Sequence, residues 1–337
     1  MISIKDIARA ARVSHSTVSR ALRNSTLVNA KTRELVQKIA AQQGYSVSAA
    51  ARSLVTGRTN TIGVVVTSIS NPFVGEIVAG VEEFALAHGY SILLSTSHAD
   101  PAREMRAVRS LHEHRVDGIL VNSSRVGRLY MPLLEEMKVP IVLINNEHPG
   151  EFIHSVTIDN LRAGRDATRH LVQLGHNRIG YVGNQFGLQA DTERFSGYRQ
   201  VLEEADIGFA PELVAHGDGG PEAGMRATAR LLALPEAPTA VFCFNDMQAL
   251  GALRAARERG LNVPGDLSVV GLDDLYLSSY TDPPLTTIQQ PKHEMGRLAA
   301  QILLEQLSGK HPESRMTLAG KLVVRQSTAP PRDVKGR

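Results

Sequence analysis

Over the first 45 residues apolar side chains recur every three or four positions, the spacing of short amphipathic helices. Ser3 followed by Asp6 is a capping-box variant that opens a helix with Ile4, Ile7, Ala8 and Ala11 on one face. Arg12 and Val13 make a turn, and Ser14 caps a second helix in which Val18, Ala21 and Leu22 point inward. A third helix starts near Asn29, buries Leu35, Val36, Ile39 and Ala40, and ends at Gly44, a residue suited to the left-handed conformation that terminates helices. This pattern predicts a helix-turn-helix with a supporting helix. From Thr61 the rhythm changes. The apolar runs TIGVVV, YSILLS, DGILVN, VPIVLI, RIGYVG, AVFCFN and DLSVVGL alternate with segments of helical period. That alternation predicts parallel sheets buried on both faces, and two sets of runs divided near Ile158 and Asp159 predict two doubly wound lobes.

Charge sharpens the division. Residues 1–60 hold ten Lys or Arg against two Asp or Glu, a net +8, whereas the remaining residues, 27 against 32, sum to −5. Positive charge gathered on a small helical head is the electrostatic footprint of nucleic-acid binding. On the second helix, His15, Ser16, Thr17, Ser19, Arg20 and Arg23 fall away from the apolar face. Such a face suits the major groove, where an arginine bonds guanine O6 and N7 bidentately. A solvated basic face on a helical bundle is the bland alternative on composition alone.

In the body, ligands of open α/β sheets sit beyond the carboxyl ends of strands, so polar residues closing the apolar runs are binding candidates. These are Asn71 and Phe73 after the first run, then Asn122, Asn145, Asn245 and Asp273. Capping of the following helix competes for the same positions, Asn71 and Asp273 in particular.

IKDIARAARVSHSTVSRALRNSTLVNAKTRELV resembles the DNA-binding head of LacI/GalR transcription regulators, with its V-S-x-x-T-V-S-R core at 13–20. The similarity continues through RSLVTGRTNTIGVVV, SNPF, LGHNRIGYVG, FNDMQALGAL, GLDD and LTTIQQP, in family order, and covers about residues 2–332. The resemblance implies a helix-turn-helix domain at 1–45, a hinge helix and linker at 46–59, a body at 60–332 and a tail at 333–337. The body is then two lobes like those of periplasmic sugar-binding proteins, the first at about 60–158 and 291–320, the second at about 159–290 and 321–332. Arg194 in ERFSGY and Gln290 on a crossover join the implied effector pocket, in which Asp273 and Arg194 suit paired hydroxyls or a carboxylate. Two hinge helices are implied to pair on DNA, with Ala51, Arg52 and Leu54 at the minor groove and Leu54 as a wedge. Packing of Leu54 against the partner hinge is the alternative for the same residue, and both readings require a dimer.

The sequence also departs from the family. Val47 and Ser48 replace the usual Pro-Asn, removing the fixed φ before the hinge helix, and Arg23 stands where asparagine is usual. Gly219 occupies a position where some sugar-responsive relatives have an aromatic residue.

The resulting expectation is a cytoplasmic, non-catalytic repressor that binds a pseudo-palindromic double-stranded operator as a homodimer and answers to a small hydroxylated effector, a sugar or sugar derivative first and a purine-like ring second. No cofactor or metal is expected. GxxxxGK[ST], HExxH and GxSxG do not occur, and His112 and His114 lie about 200° apart around a helix. Cys243 sits in an apolar run as a small hydrophobe. No signal peptide or membrane partner is expected, nor a C-terminal tetramerising coil, because TAPPRDVKGR contains no leucine heptad.

Overall fold

The computed structural model describes residues 2–22, 24–45, 57–126, 137–145, 154–312 and 315–332. Arg23, Ala51, Arg52 and Leu54, four of the expected DNA contacts, lie outside the described residues. The chain divides into two compact units, 1–59 and 60–337.

The first unit holds three helices, α1 (Ile4–Ala11), α2 (His15–Leu22) and α3 (Ala30–Gln42). Ser3 starts α1 through its backbone N–H and hydroxyl, which donate to Asp6 Oδ2 at 2.9 and 2.7 Å. Arg12, at φ 54°, reverses the chain, and the Thr17 N–H donates to Ser14 Oγ at 3.1 Å to start α2. Asn29 Oδ1 accepts from Thr32 N at 2.8 Å to cap α3. At the other end Gly44 takes φ 63° and Tyr45 N–H reaches back to Ala40 O, the Schellman closure. Ile7, Ala8, Ala11, Val18, Ala21, Val36 and Ala40 form the core. Leu35 is not part of it. It is 47% exposed, and Ile39 is only half-buried, because the inward stripe of α3 runs through Val36 and Ala40, and Leu35 lies about 100° off that stripe. A head this small covers only a narrow seam.

The second unit begins β1 (Thr61–Val66), α4 (Pro72–Ala87), β2 (Ser91–Thr96), α5 (Pro101–Glu113), β3 (Gly118–Asn122), β4 (Ile141–Ile144) and β5 (Ser155–Ile158). It continues through α6 (Asn160–Gln173), β6 (Ile179–Asn184), α7 (Gln189–Glu204), β7 (Val214–Gly217), α8 (Pro221–Leu231), β8 (Ala240–Cys243) and α9 (Asp246–Glu258). It ends with β9 (Ser268–Asp273), β10 (Thr286–Gln289), α10 (Lys292–Leu307), β11 (Arg315–Leu318) and β12 (Lys321–Val323). One six-stranded sheet has the order β11-β5-β4-β3-β1-β2, the other β12-β10-β9-β8-β6-β7. The chain passes from one sheet to the other after β5, after β10 and after β11.

Two features depart from the uniform parallel, doubly buried pattern. β12 pairs antiparallel with β10, because only two residues separate it from β11 and bring it in from the opposite direction. β2 is an edge strand, so Leu93 and Leu94 remain 37% and 39% exposed although their run reads as a core strand. Between layers, glycines let helices touch backbone to backbone. A Cβ on Gly164 of α6 would collide with the backbone of Arg194 in α7, and one on Gly197 of α7 with the carbonyl of Leu161. This contact fixes the turn of α7 that carries Arg194.

Candidate functional site

On the head, the capping turn of α2 builds one polar face. His15, Ser16 and Arg20 are exposed, while Thr17 and Ser19 are half-buried. Ser14 Oγ sits 2.8 Å from both Ser16 Oγ and Thr17 Oγ1, a hydroxyl cluster at the amino end of the helix. Val18 and Ala21 anchor the opposite side in the core, which fixes the direction of the outer face. This surface offers hydrogen-bond donors and acceptors at the start of the second helix of a helix-turn-helix, where base edges are met.

In the body, a cleft of roughly 460 Å³ opens between the two lobes, within the usual range for small-molecule sites. Asn71, Phe73 and Asn145 line it from the first lobe. Arg194, Asn245, Asp273 and Gln290 line it from the second lobe and the crossover. Asn122 does not line it. As the last residue of β3 it points into the fold, 3% exposed, with Nδ2 donating to Ser123 Oγ at 3.3 Å, and the chain turns at Ser123 (φ 53°) to present that residue instead.

Capping and lining coincide at two positions. Asn71 Oδ1 accepts from Phe73 N at 3.1 Å, and Asn245 Oδ1 accepts from Gln248 N at 2.8 Å while its Nδ2 donates to Gly219 O at 3.0 Å. Asp273 is not a helix cap. Its Oδ1 accepts from Gln290 Nε2 at 2.7 Å, and its backbone has φ 140°, a conformation that L residues rarely adopt and that costs roughly 1–3 kcal/mol unless the surroundings enforce it. Arg194 is 5% exposed and doubly anchored, Nε to Asn160 Oδ1 at 2.9 Å and Nη1 to Phe244 O at 2.7 Å, with its guanidinium 4.5 Å from the Phe244 ring centroid. A buried guanidinium and a buried carboxyl thus line the same cleft, each with directed partners. Burial, reinforced by the Asp246 charge, pushes the Asp273 carboxyl up to about 8 against the pull of Arg194, Lys292 and Gln290. Such a group takes a proton or gives it up according to what lies on it. Asp246 itself is fully buried, accepting from Thr287 Oγ1, Ser278 Oγ and Leu275 N, and is raised chiefly by burial.

Other lining groups escape a reading of run-ending residues. Ser123 and Arg125 come one and three residues past the end of β3, and Asp218 one past β7. Asn184 is the last residue of β6, so the rule that selected Asn145 would have found it had RIGYVG been extended by one residue. Arg125 also links the lobes, its guanidinium lying 4.6 Å from the ring centroid of Phe186. Buried Glu104 holds that loop, accepting from Ser124 Oγ at 2.6 Å and from Arg125 N at 3.2 Å.

Among the described residues, no group of His, Cys, Asp and Glu is arranged to hold a metal ion, and no helix is long and apolar enough to cross a membrane. Cys243 is buried, and burial pushes its thiol up, so it is a poor nucleophile.

Residues 3–48 match the family described as bacterial regulatory proteins, lacI family, and residues 168–328 match a periplasmic binding protein-like domain. The HTH-type transcriptional repressor CytR of Escherichia coli (strain K12) is 39% identical over 329 residues, 97% of this chain and 96% of that protein. PurR of Haemophilus influenzae (strain PittEE), another HTH-type transcriptional repressor, is 36% identical over 97% of this chain and 98% of its own. Among solved structures, the lac repressor dimer bound to operator and the anti-inducer ONPF aligns with a TM-score of 0.88 at 30% identity, covering 97% of this chain and 99% of that one. The complex of the regulator CelR with cellobiose aligns at 0.73 and 32% identity, over 97% and 100%. With relatives this similar along nearly its whole length, and the head helices and two parallel-sheet lobes in place, the chain belongs to the lacI family of bacterial regulatory proteins.

Proposed function

We propose that the protein is a cytoplasmic, sequence-specific transcriptional repressor, active as a homodimer, whose operator affinity is set by a small hydroxylated metabolite bound between the lobes. The observation that carries this reading is that buried Arg194 and buried Asp273 line one cleft between the lobes, on a chain that also bears the polar, basic face of α2. A buried carboxylate and a buried guanidinium, both with directed partners, suit the vicinal hydroxyls of a sugar or sugar derivative. The cellobiose complex of CelR supports that ligand class. On DNA, His15, Ser16, Thr17, Ser19 and Arg20 read base edges and Arg23 meets a phosphate. Ala51 and Arg52 approach the minor groove, and Leu54 wedges into it. Two heads are required by a pseudo-palindromic operator. Tyr276, Leu277 and Tyr280 are exposed on the body, with the two rings 4.7 Å apart, and offer an apolar face for the second copy. Effector binding changes lobe closure, hence the spacing of the two heads, and binding free energy is exchanged between the two sites with no bond broken.

The test is a gel shift with fragments from around the protein's own gene, repeated with a panel of sugars and sugar derivatives. One fragment should shift at concentrations that leave unrelated DNA free, and one panel member should change that affinity. Equal affinity for every fragment would overturn the reading. Energy transfer between labelled operator ends sharpens the hinge assignment: Leu54→Ala should reduce the bend, and an unchanged bend would leave Leu54 only a packing role.

A further inference from the structure

Lys292 is a charged residue in the interior, 3% exposed, at the first position of α10 immediately after the second crossover. Its ammonium donates to two successive carbonyls of the second lobe, Asp273 O at 2.6 Å and Asp274 O at 2.8 Å. It also lies 3.4 Å from Glu76 Oε2 on α4, in the first lobe. One side chain therefore touches both lobes at the hinge.

What it holds on each side matters. Asp273 and Asp274 have φ of 140° and 53°, two consecutive non-glycine residues in positive-φ backbone, and the two bonds from Lys292 lie on the carbonyls of these same residues. The two bonds brace the strained backbone from which the Asp273 carboxyl faces the cleft. On the first-lobe side, α4 and α10 meet with glycine against backbone: a Cβ on Gly80 would strike His293 O, and one on Gly296 would strike Ile77 O. Glu76 and Lys292 thus project from one rigid helix pair. The same α4 places Asn71 and Phe73 in the cleft, less than two turns before Glu76.

We infer that Lys292 is a positioning residue that couples the aim of Asp273 in the cleft to the separation of the two lobes, with Glu76 as its first-lobe counter-charge. This rests on the reading of the cleft as the effector site. Lobe opening draws the second-lobe carbonyls away from the Lys292–Glu76 pair, and a buried ammonium that loses two of its acceptors disfavours the opened state. Conversely, a ligand that grips Asp273 fixes the two carbonyls and, through Lys292, the register of α4.

The test uses the full-length protein without ligand. Labels at Arg109→Cys in the first lobe and Glu236→Cys in the second, both exposed, report the interlobe distance in protomers diluted with unlabelled chain, because Cys243 is buried and unreactive. Lys292→Met should broaden the distance distribution and accelerate amide exchange over residues 273–276 roughly tenfold, with exchange elsewhere in the sheets unchanged. Glu76→Gln, at a half-exposed surface position, should broaden the distances while leaving exchange at 273–276 near the parent value. Distances unchanged in both variants would overturn the coupling. Uniformly faster exchange with a lowered melting temperature in Lys292→Met, together with unchanged distances in Glu76→Gln, would reduce Lys292 to a packing role. Failure of the effector reading shows separately, as a ligand response that survives Asp273→Asn, and leaves these ligand-free measurements untouched.

Discussion

The head and the cleft place their candidate side chains by opposite strategies. On α2 the polar face is local: His15, Ser16 and Arg20 are exposed because Val18 and Ala21, one to three residues away, are buried, and helical period alone sets the direction of each. In the cleft no partner is local. Arg194 is held by Asn160 and Phe244, 34 and 50 residues away in sequence, and Asp273 by Gln290 and Lys292. A site assembled from distant segments depends on the fold around it, whereas an exposed helical face depends on its own few turns. Substitutions in the cleft should therefore disturb stability and ligand response strongly, and those on the head should act on DNA binding with little effect on folding.

Arg194→Ala leaves the buried acceptors Asn160 Oδ1 and Phe244 O without their donor and should destabilise the body by about 2–6 kcal/mol, roughly 1–3 for each. Calorimetry should show the body transition lowered and the head transition unmoved. A shift of both would mean that the two units unfold together.

Asp273→Asn should weaken the effector response by about a hundredfold while operator affinity without effector stays within about twofold, because an amide cannot replace a carboxylate made for hydroxyl donors. Its pH signature is distinct. The carboxyl ionises only near 8 in the ligand-free protein but in the ordinary acid range in the unfolded chain. Its contribution to stability is thus whole below that ordinary range and is lost as pH rises through about 8. The body's melting temperature should fall between about pH 4 and 8, and Asp273→Asn should flatten that slope. Ligand hydroxyls favour the ionised form, so binding at neutral pH should release a proton, measured by titration calorimetry in buffers of different ionisation heat.

Arg20→Ala should cost about 1–3 kcal/mol of operator binding and relax discrimination at one base pair. Equal loss on every sequence would reassign Arg20 to a phosphate. The smallest effect is Asn29→Ala, which removes the cap on α3 and should lower head stability by about 1 kcal/mol without altering base preference. Should it change base preference as well, the face of α2 is not independent of the helix that braces it.

Where the sequence was legible follows the same division. Capping at Ser3, Ser14 and Asn29, the stop at Gly44 and the inner stripe of α2 all rest on residues within four positions of each other, and the structure has each of them. Leu35 and Leu94 were misread for a common reason: their runs are apolar, yet exposure at a seam's margin or a sheet's edge is settled by what lies alongside, which no window of sequence contains. Short strands such as β7 and β12, four and three residues long, carry too few apolar positions to stand out from loops.

The helical head, the alternation that builds two parallel sheets, the segregation of positive charge and the membership of a regulator family are legible in the chain alone, because they are written in local period and in ordered motifs. Only the tertiary structure decided that Asn122 turns away while Ser123 and Arg125 face the cleft, that Asp273 is held in a positive-φ conformation, and that Lys292 stands between the lobes. The physical reason is that side-chain direction past a strand end, backbone strain and the pairing of a buried charge are set by neighbours 17 or more residues distant, whose proximity exists only once the chain has crossed between its sheets.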